Sequence, residues 1–208
     1  MKKVWNAEEK LSIERALIEA GYEYVIGVDE VGRGPLAGPV VCAAVVMPLD
    51  EKDIIVGVDD SKKVSEKKRE TLALLIKEKA KHYAIKEISP QKIDEMNILE
   101  ATKLCMKQAV EALGLPVEKC MLLTDGNMTL DVLMQQKSIV HGDALSYSIG
   151  AASIIAKVYR DHLMDEYAKV YPHYGFEKNK GYGTALHIAG IKEHGLCEIH
   201  RRTFTKNF

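Results

Sequence analysis

Apolar positions recur along this chain with two spacings that take turns, close to 3.6 residues in some stretches and short β-branched runs in others. "NAEEKLSIERALIEAG" places Leu11, Ile13, Ala16, Leu17 and Ala20 at mostly helical spacing, with acids in its first turn and Gly21 as a stop, and so predicts a leading helix. "YEYVIGVDE" and "GPVVCAAVVMP" are rich in valine and isoleucine and bounded by glycine or proline, which predicts two strands joined by a tight glycine loop. "IIVGV" reads as a third strand. From Ser65 the chain sets Leu72, Leu75, Ile76 and Ala80 on one helical face, and "YAIKEIS" returns as a strand. Ser89-Pro90 supplies a cap and a first-turn proline, and Asn97 with Glu100 resembles a capping box for a further helix that runs to Gly114. "EKCMLLTDG" predicts a strand ending in a turn at Asp125-Gly126, "QKSIVHGD" a short strand, and "LSYSIGAASIIAKVYRDHLMDEYAKV" a long helix. "YPHYGFEKNKGYGT" reads as a loop, followed by a short helix from Thr184 to about His194 that Gly195 stops.

Strands that come first and then alternate with helices favour an α/β fold with a mixed central sheet flanked by helices, antiparallel at its start and parallel in its additions. A single domain over residues 1–208 is expected, with an α/β body to about residue 170 and a small C-terminal helical lobe over about 171–208. Composition agrees: 208 residues, 47% hydrophobic and 28% charged, describe an ordinary globular chain, and a net charge of −1 names no partner until it is mapped locally. The four cysteines form no C-x-x-C pair, which argues against a zinc knuckle or disulfide framework and fits a reducing cytosol. The first residues carry charges where an export signal needs an apolar run, and the longest uncharged run, 34–49, is too short to span a bilayer. A cytoplasmic protein with no membrane contact is the expectation.

Charge enters where apolar runs end. Asp29 and Glu30 follow "YVIGV", Asp125 follows "KCMLLT", and Asp143 follows "KSIVHG". A carboxylate leaving water needs a partner, a hydrogen bond or a metal. In open α/β sheets ligands gather beyond the carboxyl ends of strands, so acids distant in sequence can converge there and suit hard divalent cations such as magnesium. The competing reading makes them turn residues, since Asp-Gly favours turns without any metal. Geometry adds an objection: neighbours on a regular strand point to opposite faces, so Asp29 and Glu30 share a site only if the strand ends, twists or bulges there.

"GRGPLAG" lacks the spacing and the following helix of a dinucleotide fingerprint, because Pro39 opens a strand instead. Its glycines let backbone approach a ligand closely, and Arg33 offers donors for phosphate or a structural contact. "DDSKKVSEKKRE" reads equally as a solvated helix start. From His173 onward six Lys or Arg stand against three acids, interleaved with Tyr174, Phe176, Tyr182 and Phe204, a pattern able to track a phosphate backbone or merely to form a basic surface. None of the seven histidines has the short spacing of a zinc pair.

Taken in order, "GVDEVGRGPLAGPVV", "DDSKKVSEKKRE", "DEMNIL", "TDGN", "HGD" with "SIGAASIIAKVYRD", "HYGFEKNKGYGTALH" and "HRRTF" make the chain resemble bacterial ribonuclease HII over nearly its whole length. The resemblance implies an RNase H-like fold and an endonuclease that cuts the RNA strand of RNA/DNA hybrids and nicks 5′ of single ribonucleotides embedded in duplex DNA. It places metal-binding, catalytic acids on Asp29, Glu30, Asp125 and Asp143, holding two Mg2+ or Mn2+ ions in the reactive complex. It places ribose sensing on Gly32, Arg33 and Gly34, sugar stacking on Tyr182, and substrate-backbone contacts on Ser61 and Lys62. The triplet distinguishes the chain from ribonuclease HIII, which typically has lysine there and an extra N-terminal domain; only about 20 residues precede the first strand here. A monomer is expected, and "TKNF" is too short to decide a sliding-clamp contact. Rival readings are another two-metal nuclease or transposase of the same fold class, and a hybrid-binding module without turnover.

Overall fold

The computed structural model describes residues 5–207, and its centre is a mixed sheet of β1 (Tyr24–Val31), β2 (Val40–Val46), β3 (His82–Ile88), β4 (Cys120–Asp125) and β5 (Gln135–Ile139). The strand order is β3-β2-β1-β4-β5. β1 pairs antiparallel with β2 and β2 with β3, whereas β4 lies parallel to β1 and β5 parallel to β4. The antiparallel start with parallel additions is as the sequence predicts.

Helices α1 (Ala7–Glu19), α2 (Glu66–Lys79), α3 (Pro90–Met96), α4 (Ile98–Glu111) and the long α6 (Tyr147–Val170) cover the sheet. The two-residue period of β2 sorts its side chains between the layers. Val41, Ala43 and Val45 join the cluster with Leu72 and Ile76 of α2 and Ile154 and Ile155 of α6, while Val40, Cys42 and Ala44 join Ala101, Cys105 and Met106 of α4. α6 lies hard against β1 because Gly27 has no side chain; a Cβ there would stand 2.2 Å from the Ser148 carbonyl carbon.

Asn6 caps α1, accepting from the Glu8 amide at 3.0 Å, and Asn97 opens α4 by accepting from the Leu99 and Glu100 amides at 2.9 and 3.1 Å. The expected capping box is thus half formed, since the Glu100 carboxylate pairs with Lys103 instead. One predicted strand is absent. Residues 54–58 are irregular: Gly57 takes a positive φ of 94°, the Ile55 amide donates to the Tyr147 hydroxyl at 2.8 Å, and the Val58 carbonyl accepts from the Trp5 indole at 2.8 Å. Side chains satisfy this backbone, so no neighbouring strand is required.

The stretch read as a loop after α6 contains a 3-10 turn at Pro172–Tyr174 and one helical turn, α7 (Phe176–Asn179), before α8 (Ala185–His194). This C-terminal part is stitched to the β1–β2 connection: the Leu36 amide donates to Gly181, Gly38 to Ile199, and Arg201 to Leu36. Ala37, Met164, Tyr174, Phe176, Ile191 and Ile199 form a cluster of their own beneath those bonds. Among the described residues no helix is long and apolar enough to cross a membrane.

Candidate active site

β1 and β4 run side by side, so Asp29, Glu30 and Asp125 arrive together at the carboxyl end of the sheet. There they line a cleft of about 320 Å³ with Gly32, Arg33, Gly34, Ser61, Lys62, Ser153, Lys157 and Tyr182. The geometric objection to Asp29 and Glu30 is answered without a bulge. Their register with β2 stays unbroken, Asp29 opposite Ala43 and Glu30 opposite Cys42, and β1 ends one residue later at Val31. Near the strand end the two acids reach one cleft from opposite faces. Gly32, at φ 91°, then turns the chain away.

The acids crowd one another. Burial pushes the Asp29 carboxyl well above its ordinary range, and the charges of Glu30 and Asp125 push it further, against a hydrogen bond from the Glu30 amide at 2.8 Å. Glu30 is raised chiefly by burial, with Asp125 adding to the rise and Arg33, 3.6 Å away, opposing it. Asp143 stands at the start of a helical turn, α5 (Gly142–Leu145), 9% exposed and outside the lining of the cleft. Burial raises it first, then the charges of Asp125 and Asp60. The adjoining Gly142 amide donates to Asp125 Oδ1 at 2.7 Å, tying that turn to the β4 acid. Among the described residues no three His, Cys, Asp or Glu side chains are grouped so as to hold a metal ion by themselves. The donor chemistry nevertheless fits a hard cation: all-oxygen, mutually repelling, and open toward the cleft, as expected for an ion that keeps waters and shares substrate phosphates.

The glycine-arginine-glycine triplet is held from below by a fully buried arginine. Arg201 donates to the carbonyls of Gly32 at 2.5 Å, Arg33 at 2.8 Å and Gly38 at 2.8 and 3.0 Å. Peptide units are trans, so the N–H groups of Arg33 and Gly34 point the opposite way, and among the described residues neither donates within the chain. A second buried arginine, Arg160, grips the carbonyls of Ala37, Pro39 and Lys180 at 2.9 to 3.1 Å. Both guanidiniums are drawn down by burial, Arg160 to about 10 and Arg201 to about 9, and both remain charged at neutral pH. The Tyr182 ring borders the triplet: a Cβ on Gly34 would lie 3.6 Å from its Cε1 atom.

Ser61 is buried and receives a hydrogen bond from Ser153 Oγ at 2.9 Å, while Lys62 is exposed at the rim. Ser153 and Lys157, one helical turn apart on α6, are cleft residues that sequence reasoning did not single out, although both lie inside "SIGAASIIAKVYRD". Their i, i+4 spacing was the available signal. The basic, aromatic C-terminal stretch divides in two. Tyr174, Phe176 and Arg201 are buried, so only part of it meets solvent, Tyr182 among that part. Phe208 lies outside the described residues, so "TKNF" is seen only in part.

A profile of the family described as Ribonuclease HII matches residues 26–207. Proteins of that description from Ligilactobacillus salivarius and Ruminiclostridium cellulolyticum are 50% and 53% identical, over 98% and 97% of this chain and 80% and 77% of theirs. The ribonuclease H2 structure from Pyrococcus horikoshii superposes with a TM-score of 0.69 at 30% identity, covering 86% of this chain and 92% of that one. RNase HII in its PCNA complex from Archaeoglobus fulgidus gives 0.71 at 26% identity, covering 86% and 93%. A profile match across most of the chain, together with relatives half identical along nearly all of it, shows that the chain belongs to the ribonuclease HII family and is a type HII ribonuclease H.

Proposed function

We propose that this ribonuclease H, beyond cutting RNA in RNA/DNA hybrids as its family does, nicks duplex DNA on the 5′ side of a single embedded ribonucleotide, leaving 3′-hydroxyl and 5′-phosphate ends. The observation that carries this reading is the juxtaposition, in one cleft, of Asp29, Glu30 and Asp125 with the outward amides of the triplet and the Tyr182 ring. Dependence on divalent metal is general to the family. Two Mg2+ or Mn2+ ions, when bound, would supply an activated water and neutralise charge on the attacked phosphate and departing oxygen.

The chain's own residues do the rest. Asp29, Glu30 and Asp125 gather the cations at the cleft wall, and Asp143 completes the set from the helical turn tied to Asp125. The N–H groups of Arg33 and Gly34 donate to the ribose 2′-oxygen, which distinguishes RNA from DNA without reading a base. Tyr182 stacks on the sugar of the following deoxynucleotide, and Ser61 and Lys62 hold the backbone at the rim. The C-terminal lobe acts as the substrate-binding part of the one catalytic domain. A PCNA:RNase HII complex among the structural relatives makes a sliding clamp a reasonable partner to test, with this chain otherwise acting as a monomer in the cytoplasm.

Asp29→Asn tests the reading. Turnover on a hybrid is expected to fall by about three orders of magnitude or more, with substrate binding largely kept, because cation positioning is lost while the fold stays. Unchanged turnover would make Asp29 a turn residue and place the cation site elsewhere. Tyr182→Phe is expected to cost little and Tyr182→Ala much, since the ring face makes the contact; equal damage would remove Tyr182 from that role.

A further inference from the structure

His187 and His200, thirteen residues apart, are both buried behind the Tyr182 loop, with Nε2 atoms 3.0 Å from each other. The Cys197 amide donates to His200 Nδ1 at 2.9 Å, which fixes that nitrogen as an acceptor. A neutral His200 therefore carries its proton on Nε2 and donates to His187 Nε2. His187 must then carry its own proton on Nδ1, which donates to the Tyr182 carbonyl at 2.9 Å. Each bond dictates the next, so one tautomer assignment satisfies the whole chain. Rings of Tyr174 and Phe176 meet His187 edge-on and hold it in place. Burial lowers the proton affinity of both histidines, in keeping with two neutral rings.

His200 is followed directly by Arg201, which grips Gly32 and Arg33. The two halves of the ribose site, triplet and tyrosine, thus hang from two consecutive residues. The geometry points to His187 and His200 as positioning residues that hold the Tyr182 loop against the triplet through a one-way hydrogen-bond relay. This rests on the reading of Tyr182 as a sugar platform. The Tyr182 carbonyl also receives the Thr184 amide at 2.8 Å, so the relay refines a loop that is already turned.

Side-chain 15N resonances of the unmodified chain should show His187 locked as the Nδ1–H tautomer, the less common one in free histidine, and His200 as Nε2–H. Averaged or reversed tautomers would overturn the relay. In kinetics on an embedded-ribonucleotide duplex, His187→Leu should raise KM about fivefold with kcat within about twofold, the scale of one lost hydrogen bond. His187→Asn, whose amide nitrogen can replace Nδ1, should restore a KM near that of the unmodified chain, and the Leu effect should vanish in a Tyr182→Ala background. Equal KM values for the Leu and Asn variants, or a Leu effect that persists without Tyr182, would contradict the proposal. If Tyr182→Ala alone leaves KM unchanged, the platform reading fails instead. Should His187→Leu not fold, the tautomer measurement and His187→Asn still decide.

Discussion

At Asp29 the demands of stability and of chemistry oppose each other. Its buried carboxyl is raised by burial and by two neighbouring acids, so ionising it works against the cation-free fold. Asp29→Asn should accordingly raise the melting temperature of the cation-free protein by about 3 °C while abolishing turnover, which calorimetry in chelator and a cleavage assay would measure together. A drop in melting temperature would mean the carboxylate is structurally paired. His200 sets a pH dependence of opposite sense from the same cause, burial. Its folded pKa is lowered from 6.5 to about 4, so the unfolded chain binds more protons between those values, and stability should rise with pH through that window. The swing is about 3 kcal/mol at most. Denaturation midpoints at pH 4.5 and 7 would show it, and His200→Gln should flatten it.

Among the elements, the sheet was the most legible part of the sequence. β1, β2 and β4 are valine- and leucine-rich runs with sharp ends, and the order of strands and helices left few topologies for them. The strand expected at residues 54–58 failed because apolar β-branched residues also pack well in irregular backbone when side chains such as Tyr147 and Trp5 take its hydrogen bonds. Long-range partners of that kind are invisible to periodicity. The same limit hid Arg201 as the support of Gly32 and Arg33, 168 residues away in sequence, and made a buried arginine look like part of a basic surface. The acids were legible because each ends an apolar run, although sequence could not show that Asp143 stands on a helical turn tied to Asp125 through the Gly142 amide. Packing of α6 on β1 rests on Gly27. Gly27→Ala should destabilise by about 2–3 kcal/mol, since the added carbon would meet helix backbone rather than a movable side chain. Urea denaturation with an unchanged midpoint would place the α6–β1 contact elsewhere.

On the scale of the whole molecule, the fold brings a repelling cluster of acids and the glycine-arginine-glycine triplet, proposed above as the reader of the sugar, into one cleft. The acids arrive on parallel strands, the reader on the β1–β2 connection, and the tyrosine on a loop stitched to that connection by Gly181. On the proposed reading, selectivity for one 2′-oxygen and the ability to cut beside it have a common frame. The measurement that tests this most directly is product mapping on a DNA duplex with one embedded ribonucleotide, beside the identical all-deoxy duplex, with Mg2+ or Mn2+ and with chelator. The account predicts a single nick on the 5′ side of the ribonucleotide, with 3′-hydroxyl and 5′-phosphate ends, only with metal and only when the 2′-oxygen is present. Comparable cutting of the all-deoxy duplex would contradict it.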